Sequence, residues 1–535
     1  MHIKTVVHSK AVVVTVLHTL AAGLMSASLL IASTAQADPS RASEAADIDA
    51  FIHKAMTVVE AVPGLAIAVV DGDGVVLTAG YGVANVETET PVDADTEFYI
   101  ASATKSFTAL AIAAMARRGE VSLDEPLSAW IGKTSLSPSL AESVSLADLL
   151  SHRSGLDNTP MAFRAAYSGD HSPVVMQALA AATVQRDDTP HGVFRYSNAG
   201  YNLATTLLEA RTGRDWRAMV RDEVLAPAGM DHTTAWISQA SVDHVLAAGH
   251  FGDGLTPRVS PLQKVDATMQ SAGGLVSTAH DMARWLELQI NDGAIDGRQV
   301  FPVGLIASTH RPLVTQDTEF GAYHRNGYAL GWQTGQYGPD RLLHHFGNFS
   351  GSRAHVSFMP DRRLGVVVLV NEDLVAGELA DVVANYVYDR FAERPELDAV
   401  YAAELATLAS RRDRRRAGLA AARADRAKRP SSLSRPVSSY VGTYVSPTMG
   451  TLHIDEAGEQ LVIHIGVLSA AAEPYTDPES VRIELVPFQG EVLTFDGPDR
   501  LTFEGETFLR TDKGSVGHKA PRRRLGLGAV EPPIV

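Results

Sequence analysis

Ser102-Ala103-Thr104-Lys105-Ser106-Phe107-Thr108-Ala109-Leu110-Ala111-Ile112 is the stretch on which the reading of this chain turns. A helical pattern runs from about Ser102 to Arg118, with Phe107, Leu110, Ala111, Ala114 and Met115 apolar, and Gly119 stops it. Positions i and i+3 share one helix face, so the Ser102 hydroxyl and the Lys105 amine are predicted to meet at its start. A serine hydroxyl is a poor nucleophile until a base takes its proton. Lysine can be that base only if desolvation or a nearby cation lowers its pKa, and an apolar helix supplies desolvation. The chain has nine lysines, and only Lys105 has a serine three residues before it. Arginine is far commoner here and cannot release its proton. Taken alone, the pattern also reads as a helix cap at Ser102 beside a snorkelling lysine.

Two more constellations lie downstream. The first is Tyr196-Ser197-Asn198, within Phe194 to Tyr201. A tyrosine beside a lysine ammonium can hold a lowered pKa and shuttle a proton. An asparagine amide can orient the lysine or bind a substrate carbonyl. By itself the segment is also a turn with an aromatic neighbour. The second is His345-Phe346-Gly347, followed by Asn348 and set ahead of two strand-like runs. Gly347 lets backbone approach a ligand closely, and an N–H just after it could donate to an oxyanion. A buried structural histidine or a metal ligand are the other readings. With no His-Glu-x-x-His and no cysteine, a metal site is not expected.

In order and spacing, these three motifs resemble the penicillin-binding-protein and class C β-lactamase-like serine hydrolases. Two flanks agree, Leu149 to Leu156 and Ser271 to Ala279, and the resemblance spans about residues 44–390. It implies an α/β (α+β) fold of the β-lactamase/transpeptidase type: an antiparallel sheet flanked by helices, plus a helical subdomain. It also implies Ser102 as nucleophile, Lys105 and Tyr196 as proton-transfer groups, and Asn198 and His345 as substrate-positioning groups. The oxyanion would sit between the backbone N–H groups of Ser102 and Asn348, and no cofactor is needed. One departure matters. No lysine occurs between Lys264 and Lys428, so His345 stands where the family's Lys-Thr-Gly carries its lysine. A mostly neutral histidine suits a substrate carboxylate less well. Expected substrates are amides of β-lactam or D-amino-acid peptide type. The alternatives are short acyl esters, as for a carboxylesterase, and a non-hydrolysing β-lactam or peptidoglycan sensor.

Around the motifs, Asp47–Glu60 reads as an amphipathic helix, Leu65–Val70 and Val75–Ala79 as a hairpin, and Val144–Ser151 as a short helix. His355–Met359 and Leu364–Asn371 read as strands, and Val382–Phe391 as a closing helix. From Leu397 to Arg429 arginines crowd together, and the expectation is a solvated linker helix rather than a basic binding patch. Short alternating runs from Tyr440 to Leu509 predict a small antiparallel barrel. Tyr440-Val441-Gly442-Thr443-Tyr444 is similar to the lipocalin-like modules of some D-aminopeptidase relatives. The expected division is a signal peptide 1–37, a hydrolase domain 38–393, a helical linker 394–435, a barrel 436–512 and a disordered tail 513–535.

Lys4 and Lys10, an apolar run from Val12 to Leu30, and Ala35-Gln36-Ala37 predict an exported protein, periplasmic or secreted. An uncleaved N-terminal anchor is the alternative. Without cysteine there is no disulfide. A net charge of −16 disfavours nucleic acid. The expected partner is a small-molecule or peptide substrate, with no membrane span after cleavage.

Overall fold

The computed structural model describes residues 39–130, 136–240 and 244–511. The expected signal peptide, residues 1–37, and the expected tail, residues 513–535, lie outside the described residues. The hairpin read from Leu65 onward lies near one edge of a nine-stranded antiparallel sheet. Its strands are β1 (Gly64–Asp71), β2 (Gly74–Asn85), β3 (Thr90–Pro91), β4 (Val314–Phe320), β5 (Tyr323–Tyr328), β6 (Gln333–Tyr337), β7 (Asp340–Phe349), β8 (Ser352–Met359) and β9 (Leu364–Val370). Their order is β4-β5-β6-β7-β8-β9-β1-β2-β3, so the first strand of this sheet pairs with its last, β1 with β9. β1 is apolar throughout because both of its faces are covered. Leu65, Ile67 and Val69 enter one core, and Ala66, Ala68 and Val70 the other.

Helices α1 (Pro39–Val59) and α6 (Ala376–Phe391) cover the first face, where Phe51 stacks on Tyr386 at 3.8 Å. Against the second face lie α2 (Thr104–Arg117) and α5 (Ala279–Ile290), joined by a Phe107–Trp285 stack at 3.7 Å. All residues of α2 from Thr104 to Met115 are buried, so this helix is a central strut rather than an amphipathic one. Beyond it a helical layer includes α3 (Leu146–Leu150) and α4 (Asn198–Thr212). Ser145 and Asp148 start α3 with a capping box. No described helix is long and apolar enough to cross a membrane.

The expected linker helix is present as α7 (Leu397–Arg426), but it is not simply solvated. Tyr401, Leu405 and Leu408 are buried against α1 and α6. Arg415 pairs with Glu378, Arg423 with Asp253 and Arg426 with Glu473. Arg412 and Arg416 donate to the backbone carbonyls of Val59 and Gly252. Much of the arginine crowd is therefore used within the molecule.

After α7 comes a second nine-stranded antiparallel sheet of β10 (Gly442–Ser446), β11 (Gly450–Ala457), β12 (Gln460–Ile465), β13 (Leu468–Ala471), β14 (Glu473–Pro474), β15 (Ser480–Val486), β16 (Gln489–Phe495), β17 (Arg500–Phe503) and β18 (Glu506–Arg510), ordered β13-β12-β11-β10-β18-β17-β16-β15-β14. Its two edges, β13 (Leu468–Ala471) and β14 (Glu473–Pro474), are separated in sequence by Ala472 alone, so the sheet nearly closes on itself as a barrel. Neither edge was expected, because polar residues hide the alternation there. The barrel's core includes Tyr444, Ile463, Phe495 and Phe508, and it also takes in Phe163 and Leu262 from the first unit.

Candidate active site

The chain leaves the short strand Phe98–Tyr99, reaches Ile100, and turns through a 3-10 segment, Ala101–Ala103, before α2 begins at Thr104. Ser102 thus sits on a tight lead-in turn rather than on the helix itself. Ala101 holds φ +45, a left-handed value that costs a residue with a Cβ energy and marks a functional turn. No side-chain cap bond is made at the start of α2, which removes the reading of Ser102 as a cap.

Two glycines press on this turn. A Cβ on Gly347 would stand 2.0 Å from Ile100 O, and one on Gly273 would stand 3.3 Å from the Ala101 carbonyl carbon. Gly347 was expected to admit a ligand. Its close neighbour is instead the backbone just ahead of the nucleophile, so β7 is packed directly against the Ser102 turn.

Lys105 is fully buried, and burial holds its pKa well below that of a free lysine. Its Nζ donates to Asn198 Oδ1 at 2.7 Å and to Ala272 O at 2.6 Å, and lies 3.0 Å from Ser102 Oγ. A neutral amine has two hydrogens and one lone pair. When the amine is neutral, the two carbonyl oxygens, which can only accept, take its hydrogens, and its lone pair is left for the Ser102 hydroxyl. Asn198, the first residue of α4, is aimed at this amine by the N-cap at Ser197. Ala272 was visible in the sequence only as part of a flank, because a backbone carbonyl has no side-chain signature.

Tyr196 lies across the amine, with Lys105 Nζ 4.7 Å from its ring centroid, and its phenol faces the Ser102 side chain. The expected lowering of its pKa is not found. Burial of the phenol raises it, opposed by Ser102 and by Arg325. The residue still keeps 41 % of its surface exposed, so it forms part of the cleft wall. A neutral phenol can relay a proton but is a poor resident anion.

His345, on β7, is buried. Its Nδ1 lies 3.0 Å from Phe346 O, which can only accept, so Nδ1 carries the hydrogen. Nε2 then accepts from Tyr328 OH at 3.0 Å. Burial holds the pKa of this ring well below that of a free imidazole. Both nitrogens are spent on protein groups. Asn348 is exposed near the end of the same strand.

The barrel reaches this cleft. A cavity of about 280 Å³ is lined by Tyr196, Ser197 and Asn198 together with Glu491 and Glu504 of the barrel. A second, of about 520 Å³, is lined by Asn348 and Phe349 on one side and Phe488 and Gln489 on the other. Among the described residues, no group of three or more His, Asp or Glu side chains is arranged to hold a metal ion.

The family profile described as Beta-lactamase matches residues 48–387. An unguisins hydrolase of Aspergillus violaceofuscus is 26% identical over 332 residues, which is 58% of this chain and 58% of that protein. Protein flp of Staphylococcus aureus is 27% identical over 311 residues, 58% of this chain and 60% of that one. The match thus takes in less than two thirds of either relative. Among solved structures, the octameric penicillin-binding protein homologue from Pyrococcus abyssi has a TM-score of 0.54 at 20% identity, covering 87% of this chain and 99% of its own. The D-amino acid amidase from Ochrobactrum anthropi SV3, complexed with L-phenylalanine amide, has a TM-score of 0.53 at 20% identity, covering 65% and 99%. At these identities the structural likeness speaks for the fold.

Proposed function

The chain belongs to the beta-lactamase family, and from that premise we propose that it is an exported serine hydrolase working through an acyl-enzyme on amide bonds. The observation that carries the reading is the buried Lys105 amine, within hydrogen-bond distance of two carbonyl oxygens and of Ser102 Oγ.

Ser102 Oγ attacks the substrate carbonyl and its proton passes to Lys105 Nζ. The carbonyl oxygen takes up the negative charge, held by the backbone N–H groups of Ser102 and Asn348. One such donor is typically worth about 10²–10³ in rate. Collapse of the adduct breaks the carbon–nitrogen bond, and the departing amine receives the proton through the Tyr196 phenol. Water then attacks the ester on Ser102. Lys105 and Tyr196 take the water's proton and return one to Ser102 Oγ, freeing the acid.

The neutral, internally bonded His345 supports substrates without a carboxylate at that position, so D-amino-acid amides fit better than penicillins. The same observation favours a second reading, hydrolysis of short acyl esters.

A panel of D-alanine p-nitroanilide, p-nitrophenyl acetate and a chromogenic cephalosporin tests this. Turnover of the anilide and the acetate, with a slow cephalosporin, is expected. Turnover of the acetate alone leaves the esterase reading in place of the amidase one. A stable acyl adduct without turnover, seen by intact mass, would replace both with a sensor. The export reading is checked by N-terminal sequencing of the secreted protein, which should begin at Asp38.

A further inference from the structure

Behind Tyr196 lies a side chain that the proposed mechanism does not use. His152 follows α3 in the Leu149-to-Leu156 flank, and it is 2 % exposed. Its φ is +60, a left-handed conformation that a residue with a Cβ adopts only at a cost and that Asn, Asp and His tolerate best.

Both its backbone and its side chain turn toward one short segment. The His152 carbonyl accepts from Arg195 N–H at 2.8 Å, and the ring's Nδ1 accepts from Ser197 N–H at 3.1 Å. These bonds bracket Tyr196. The His152 ring also lies 4.4 Å from the Tyr196 ring, tilted by 39°. Ser197 is in turn the N-cap of α4, whose first residue, Asn198, receives the Lys105 amine. One imidazole thus touches the supports of both Tyr196 and Asn198.

An Nδ1 that accepts a backbone N–H carries no hydrogen of its own, so the hydrogen is on Nε2. That nitrogen is buried and has no hydrogen-bond partner among the described residues. Leaving a buried donor unpaired costs stability, so the ring's placement is not explained by stability alone. The titratable groups around it are Lys105 on α2, Tyr196, Tyr201 on α4, Tyr328 on β5 and His345 on β7. Burial, followed by Lys105 and His345, holds its pKa well below that of a free imidazole.

We propose that His152 is a positioning residue of the acyl-transfer site, clamping the backbone on both sides of Tyr196 so that the phenol is held over Lys105 and Ser102. The inference rests on the serine-hydrolase reading, because it assigns a role through Tyr196.

The test compares His152→Ala with His152→Asn. Asparagine accepts φ +60, and its Oδ1 can stand where Nδ1 stands. Readouts are kcat and KM on p-nitrophenyl acetate, the rate at which a fluorophosphonate labels Ser102, and the melting temperature. For His152→Ala, kcat and the labelling rate should fall on the order of 10²-fold, the cost of misplacing a catalytic group by about 1 Å. KM should be little changed. His152→Asn should recover most of that loss.

Equal damage in both variants, or no damage in His152→Ala, overturns the clamp. If His152→Ala does not fold, His152→Asn decides: a labelling rate near wild type supports the clamp and a collapse refutes it. A wild type that neither labels nor hydrolyses the ester sinks the proposed function along with this inference. A wild type that does both beside an unaffected His152→Ala sinks the inference alone.

Discussion

Two serines in this molecule stand in hydrogen-bonded relays with a base. Ser357 Oγ lies 2.7 Å from His355 Nε2, and His355 Nδ1 lies 2.8 Å from Asp381 Oδ1, the arrangement of a Ser-His-Asp relay. Ser102 has Lys105 at 3.0 Å and a tyrosine across it. Ranked by distance alone, Ser357 is the better nucleophile. Exposure reverses the ranking. Ser357 is 0 % and His355 1 % exposed, both on β8, and Ser357 also bonds the buried Tyr388 OH at 2.7 Å. Ser102 is half-buried on a turn, and Tyr196 and Asn198, which contact it or its lysine, line a cavity. A nucleophile must meet a carbonyl as well as a base, and only one of these serines can.

The largest expected effect comes from exchanging the two. Ser102→Ala should lower kcat on the order of 10⁶-fold, the scale seen when a hydrolase loses its nucleophile, with the melting temperature kept. Undiminished hydrolysis by that variant, together with a dead Ser357→Ala, would reverse the comparison drawn above.

Lys105→Arg comes next. Arginine keeps the charge but cannot accept the proton, and the loss should be about 10²–10⁴-fold, the range for a general base. The wild type should also show an acid limb in kcat/KM. Above its lowered pKa the amine is neutral and active, and as pH falls through that value it protonates and activity is lost. A limb that persists unchanged when Lys105 is replaced belongs to another group. That result would take the base assignment away from Lys105.

Gly347→Ala tests whether β7 must touch the nucleophile turn. The added Cβ meets Ile100 O at 2.0 Å, which neither backbone can absorb without moving. Overpacking of this kind costs about 1–3 kcal/mol, read as a lower melting temperature, and kcat should fall with it. A variant with full stability and full activity would mean that the close approach has no role in holding Ser102.

Where residue type and spacing decide which side chains meet, the sequence was a good guide. The Ser102–Lys105 pairing follows from i, i+3 spacing and an apolar helix, and the two-sided burial of β1 from its unbroken Leu65–Val70 run. Several features left no such mark. Strands β4 to β6 were not foreseen because runs such as Thr315-Gln316-Asp317-Thr318-Glu319 are polar and largely exposed, so no apolar alternation marks them. The packed half of α7 does carry a stripe, Tyr401, Leu405 and Leu408, at i, i+4 and i+7. The arginine density next to it drew attention away. The raised pKa of Tyr196 depends on how much protein surrounds the phenol, which no local pattern encodes. Ala272 contributes a carbonyl to Lys105, and any residue could have done so.

The smallest effect, Ser357→Ala, sharpens the comparison most. Removing this hydroxyl leaves His355 Nε2 and Tyr388 OH without the partner each has now, in a place water does not reach. An unpaired buried polar group costs about 1–3 kcal/mol, so the melting temperature should drop. Hydrolysis at a temperature well below that transition should not change, because Ser357 touches neither Lys105 nor the cleft. If turnover fell as it does for Ser102→Ala, a fully buried serine would be reaching substrate, and exposure could no longer be the property that separates the two serines. If stability did not fall either, the relay would be contributing nothing to the sheet that carries it. Retained activity with reduced stability is the pattern that assigns one serine to chemistry and the other to the core.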